Sequence, residues 1–191
     1  MTLICGIDEA GRGPLCGPVF ASAVILDSTV VINGLKDSKK LSEKNRNDLY
    51  GIIKSMAIES VYAIASVEEI DKLNILQASL LAMKRAFALL KTRADSIYID
   101  GLYCPNINQP MQAIIKGDSL IPSISAASII AKVERDKYMK VLDEKYPQYK
   151  LAKHKGYPTK EHLDLLNEFG INEIYRQTFK PVKKLINKKN T

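Results

Sequence analysis

The chain has 191 residues, 46% of them hydrophobic, enough for one domain with its own core and short for two. No apolar run reaches the roughly 18 residues of a membrane-spanning helix, and the N-terminus enters a strand without the basic start and cleavage site of a signal peptide. The net charge of +7 points to a polyanionic partner, although a lysine-rich composition alone gives the same excess, so position has to decide. Cys5, Cys16 and Cys104 are an odd number without metal-type spacing, with Cys5 read as plain core; a reducing, cytoplasmic compartment is expected.

In chain order, residues 3–8 read as a buried strand that ends in Asp8 and Glu9. A loop follows at once, with Arg12 between Gly11 and Gly13, and leads into a second strand over 19–26. Basic residues bunch in "LKDSKKLSEKNR" (35–46), and a helix is predicted over 42–55. A third strand covers 60–67. Ser66 and Glu69 form a capping box, and behind it Leu73, Leu76, Leu80, Met83, Phe87 and Leu90 recur at helical spacing, predicting one long amphipathic helix. Strands over 97–100 and 111–115 follow. A helix over about 123–144 starts with the small residues "SISAAS", which permit close approach to a sheet or a ligand. Further basic residues lie in 149–160, a helix covers 160–169 and stops at Gly170, and the tail 179–189 is basic again. The pattern predicts an α/β domain with a mixed central sheet, helices on its faces and a helical C-terminal part. No repeat or linker divides residues 1–191, so a single domain with a short basic segment at about 171–191 is expected.

Asp8 closes the first strand, Asp100 closes "SIYID", and Asp118 follows "IIKG". Carboxyl ends of strands are where α/β sheets form ligand sites. A single acid there serves as a turn-former or cap, but four, counting Glu9, are harder to explain in that way. If they converge, their repulsion calls for a cation, and Mg²⁺ or Mn²⁺ suit carboxylate oxygens. Two such ions suit phosphodiester hydrolysis. His154 and His162 either orient a phosphate or act as ordinary capping residues.

"GIDEAGRGPLCGPV" resembles the signature of prokaryotic ribonuclease HII, the type 2 ribonucleases H. "DSKKLS", "YIDG", "KGDSLIPSISAASIIAKVERD", "HKGYPTKEH" and "YRQTFKPV" continue the resemblance in order along nearly the whole chain. It implies a ribonuclease-H-like fold and a metal-dependent endonuclease. That enzyme cuts the RNA strand of RNA–DNA hybrids and nicks duplex DNA 5′ to embedded ribonucleotides, leaving 3′-hydroxyl and 5′-phosphate ends. Asp8, Glu9, Asp100 and Asp118 would be the catalytic metal ligands, holding Mg²⁺ or Mn²⁺, two ions when substrate is bound. Gly11, Arg12 and Gly13 would feel the ribose 2′-OH, and Tyr157 would pack on the next sugar. Lys39 and Lys155 are expected to contact phosphates. The sister type, ribonuclease HIII, usually carries an N-terminal extension and a different glycine loop, so type HII fits better. Two positions depart from the pattern: Cys16 replaces a small alanine-like residue, and Tyr175 stands before Arg176 where many relatives have histidine. The short tail after Pro181 predicts a reduced C-terminal helix and carries no "QxxLxxFF"-like clamp motif. A monomer is expected. Two other readings are a hybrid-binding protein without catalysis, against which the four acids argue, and a small-molecule phosphotransferase, for which no G-x-x-x-x-G-K-[ST] loop exists.

Overall fold

The computed structural model describes residues 2–189. Five strands, β1 (Leu3–Ala10), β2 (Val19–Asp27), β3 (Glu59–Ala65), β4 (Ser96–Asp100) and β5 (Gln112–Ile114), form one mixed sheet in the order β3-β2-β1-β4-β5. β1 runs antiparallel to β2 and β2 to β3, whereas β1, β4 and β5 are parallel. The carboxyl ends of those three strands therefore share one edge of the sheet.

Alternation along β1 and β2 divides the core between two faces. Cys5, Ile7, Val19, Ala21, Ala23 and Ile25 pack on α3 (Ile75–Ala88) through its Ala78, Ala82, Met83 and Ala86. Val24 and Leu26 face the opposite way, onto Ala126, Ala127, Ile130 and Val133 of α4 (Pro122–Lys145), with Leu49 and Ile53 of α1 (Glu43–Met56) closing that layer. The small residues that open α4 allow backbone contact with the sheet. A Cβ on Gly6 would lie 2.1 Å from the Ser123 carbonyl carbon, so β1 and the first turn of α4 touch directly.

The long helix expected after Ser66 is two helices, α2 (Val67–Leu73) and α3, joined at Asn74. The capping box forms at Ser66, but Asn74 adopts φ 73° and its side chain accepts from the Leu76 and Gln77 amides, capping a new helix. Cap chemistry outweighs the apolar periodicity at this point. A second core joins the loop after β1 (Leu15, Cys16) to the end of α4 (Met139, Leu142) and to the C-terminal helices. These are α5 (Leu151–His154), α6 (Lys160–Phe169) and α7 (Lys180–Lys189). The tail forms a ten-residue helix that buries Val182; residues 190–191 lie outside the described part of the chain. No helix among the described residues is long and apolar enough to cross a membrane.

Candidate active site at the carboxyl edge

Parallel pairing of Gly6 with Tyr98 and Ile7 with Ile99 puts Asp8 beside Asp100, one step further along both strands. Asp118 enters from a single 3₁₀ turn after β5, and its amide donates to Asp100 Oδ1 at 3.3 Å. Carboxylate oxygens of Asp8, Asp100 and Asp118 lie within 4.8 Å of one another. Glu9 is the fourth expected acid and stands apart from this trio. It is the neighbour of Asp8 on the strand and pairs with Arg12 Nη1 at 3.3 Å.

The electrostatics are those of a site short of positive charge. Burial, then Glu9 and Asp100, holds the Asp8 carboxyl well above its ordinary range, against hydrogen bonds from Ser128 and the Glu9 amide. Burial, then Asp100 and Asp37, also raises Asp118. Lys39 is the resident counter-charge. Burial disfavours its ammonium, but Asp8, Asp37, Asp118 and Glu9 together outweigh that and raise its pKa.

Beside the acids opens a cleft of about 400 Å³ lined by Glu9, the Gly11-Arg12-Gly13 loop, Lys39, Asp100, Lys132 and Tyr157. Residues far apart in sequence therefore meet in one place. Tyr157 is 37% exposed, and a Cβ on Gly13 would sit 3.5 Å from its ring. Gly11 is needed for a reason the sequence did not reveal. Its φ is +99°, and a Cβ would lie 2.1 Å from Nε of the buried Arg135.

Two expectations change. Lys155 does not line the cleft: its ammonium donates to the Ala152 carbonyl, and its own carbonyl accepts from Arg135. Lys132 takes that place in the cleft, held by Asp136 at 2.7 Å and 5.7 Å from the Tyr157 ring centroid. Its signal lay in "AKVERD", where Lys132 and Asp136 are spaced for one helix face. His154 and His162 neither cap a helix nor face the cleft. Thr159 caps α6, and the two buried imidazoles stack with centroids 4.1 Å apart. Burial brings His162 down to about 4, so it is neutral at pH 7.

The ribonuclease HII family model matches residues 5–182. Ribonuclease HII of Azoarcus sp. (strain BH72) is 54% identical over 186 residues, covering 97% of this chain and 91% of that protein. The chain belongs to the ribonuclease HII family. Among solved structures, ribonuclease H2 from Pyrococcus horikoshii OT3 superposes with a TM-score of 0.85 at 26% identity, covering all of both chains. Bst-RNase HIII in complex with Mn²⁺ gives a TM-score of 0.73 at 17% identity, covering 97% of this chain and 70% of that one, a likeness of fold. As a ribonuclease HII, the chain is a nuclease of the ribonuclease H class with the expected α/β fold. Within that family framework Tyr175 is buried, forming an isolated β-bridge with Cys16.

Proposed function

We propose that residues 1–191 form one catalytic unit that hydrolyses the RNA strand of RNA–DNA hybrids and nicks duplex DNA 5′ to single embedded ribonucleotides, leaving 3′-hydroxyl and 5′-phosphate ends. The observation that carries this reading is the cleft beside the converging carboxylates, which Asp100 of that trio and Glu9 line together with the glycine-arginine-glycine loop and Tyr157.

The acids fit a hard divalent cation. Their donors are all oxygens, they are close together, and Asp8 is destabilised as an anion by its neighbours. Asp8, Asp100 and Asp118 would hold the metal, with Glu9 contributing from the cleft beside Asp100. Mg²⁺ or Mn²⁺ held there, two ions with substrate bound, would supply water activation and charge neutralisation at the leaving oxygen. The Mn²⁺ bound by the HIII relative supports this choice of ion. Lys39 offsets part of the repulsion among the acids and, with Lys132, attracts the phosphate backbone. Gly11, Arg12 and Gly13 bring backbone groups to the ribose 2′-OH, the group that distinguishes RNA from DNA. Tyr157 lays its half-exposed ring against the following sugar, where deoxyribose fits better.

The test is cleavage of a duplex with one ribonucleotide, with Mg²⁺ or Mn²⁺, and end mapping of the products. A nick 5′ to the ribonucleotide with a 3′-hydroxyl is expected. An intact duplex, when a continuous hybrid is cut, would refute the junction reading.

A further inference from the structure

Two adjacent residues of the C-terminal part, Tyr175 and Arg176, are not among the residues lining the cleft, and both are almost fully buried. Arg176 spends its whole guanidinium on the loop that follows β1. Nη2 donates to the carbonyls of Gly11 and Gly17, each at 2.7 Å. Nη1 donates to Arg12 at 3.1 Å and Pro14 at 2.8 Å, and Nε to Gly17 at 2.9 Å. Among the described residues it has no carboxylate partner within salt-bridge distance; its partners are backbone oxygens. Main-chain bonds between Arg176 and Leu15, and between Gly17 and Ile174, lock the same segment to the loop.

Tyr175 reaches the other way. Its hydroxyl lies 3.0 Å from His162 Nε2, and His162 Nδ1 lies 2.9 Å from the Tyr157 carbonyl. A carbonyl only accepts, so Nδ1 carries the proton and Nε2 accepts from the Tyr175 hydroxyl. The segment is itself anchored from outside, because Asp71 of α2 accepts from the amides of Gln177 and Thr178 and from the Thr178 hydroxyl. One short strut therefore grips the glycine-arginine-glycine loop with one residue and the Tyr157 segment with the residue before it.

We propose that Tyr175 and Arg176 are positioning residues that fix the separation between the Gly11-Arg12-Gly13 loop and Tyr157, and through it the preference for a single ribonucleotide over continuous RNA. This rests on the reading above, in which loop and tyrosine meet adjacent sugars. A loop alone is soft, and displacement of recognition groups by about 1 Å is enough to cost much of a specific rate. Lysine at 176 would keep the charge but lose the fork that holds four carbonyls at once.

The experiment compares wild type, Tyr175→Phe and Tyr157→Ala by kcat/KM on two duplexes, one with a single ribonucleotide and one with continuous RNA. Tyr175→Phe keeps the packed ring and removes only the hydroxyl that holds His162. Its ratio of single-ribonucleotide to continuous-RNA cleavage is expected to fall roughly 5- to 10-fold, the worth of one buried hydrogen bond, with the larger loss on the single-ribonucleotide duplex. Arg176→Lys, checked by its melting curve, should move the ratio in the same direction. If Tyr157→Ala changes the ratio and Tyr175→Phe does not, the proposal is overturned while the junction reading stands. If Tyr157→Ala leaves the ratio unchanged, the junction reading falls and takes the proposal with it. A loss in Tyr175→Phe that is equal on both duplexes also overturns it, since general destabilisation does not choose between substrates.

Discussion

The molecule gathers like charges in two places and treats them in opposite ways. At the carboxyl edge, Asp8, Asp100 and Asp118 crowd together with Lys39 as their nearby cation, and Asp8 is pushed toward its neutral form. About one loop away, Arg135 and Arg176 lie fully buried. Arg135 donates to the carbonyls of Cys16, Pro18 and Lys155, and Arg176 to those of Gly11, Arg12, Pro14 and Gly17. Burial, then Arg135, lowers Arg176 to about 9, which still leaves it charged at pH 7. Every charge in the second group has its hydrogen bonds made. The first group also makes hydrogen bonds, Asp8 with Ser128 and the Glu9 amide, Asp100 with the Asp118 amide and Asp118 with Ser119, but its carboxylates crowd one another beside Lys39. A buried charge ringed by opposite dipoles is a structural part, and like charges crowded together mark where a cation belongs.

Breaking the crowded acidic side should give the largest effect. Asp8→Asn or Asp100→Asn is expected to lower the cleavage rate by roughly 10²–10³-fold or more, the scale of losing one preorganised electrostatic stabiliser. Steady-state nicking of a ribonucleotide-containing duplex measures it, and near-normal turnover in either variant would remove that residue from the metal site.

Breaking the satisfied side should cost stability first. Arg176→Ala leaves four buried carbonyls without their donor, and a loss on the order of 3–4 kcal/mol in urea unfolding is expected. A change below about 1 kcal/mol would mean that water replaces the guanidinium freely and that the contrast is wrong.

Acid separates the two regions further. His162 is lowered to about 4 by burial, below its unfolded value of about 6.5. Its contribution is complete above pH 6.5 and is lost as pH falls toward 4, because the unfolded chain takes up the proton first. The raised Asp8 carboxyl works in the opposite direction, since protonation there relieves repulsion. In an Asp8→Asn background the His162 effect stands clear. Stability is expected to drop by on the order of 2–3 kcal/mol between pH 7 and pH 4.5, and replacing His162 by Gln should flatten that slope.

The smallest effect concerns the cations of the cleft rim. A Lys39→Ala, Lys132→Ala double variant should reduce the salt dependence of duplex binding by about 2 in slope. Substituting Lys155, whose ammonium is turned to the Ala152 carbonyl, should leave the slope as it is. Fluorescence anisotropy across a salt series distinguishes the two.

Much of this was legible in the sequence. Strand-end acids at Asp8 and Asp100 and the small-residue start of α4 follow from local pattern, and the structure places them as that pattern implies. Glu9 was legible as an acid of the site but not as the ion-pair partner of Arg12. The split at Asn74 was also present in the chain, as a strong cap residue inside an apolar stripe. What could not be seen was anything that depends on long-range packing. Arg135 and Arg176 look like surface arginines until the loop carbonyls close around them. His154 and His162 look like loop and helix-edge residues until α6 and the segment at 175 bury them. No sequence period records a contact between Arg176 and Gly11, 165 residues apart.

The contrast between crowded and dipole-paired charge is tested most directly by melting wild type and Asp8→Asn with and without divalent cation. Without metal, Asp8→Asn should melt above wild type, because it removes one of three crowded carboxylates. Adding Mn²⁺ should raise the wild-type transition and move that of Asp8→Asn far less. A metal-free variant that melts below wild type, or one that gains as much from Mn²⁺, would contradict the account.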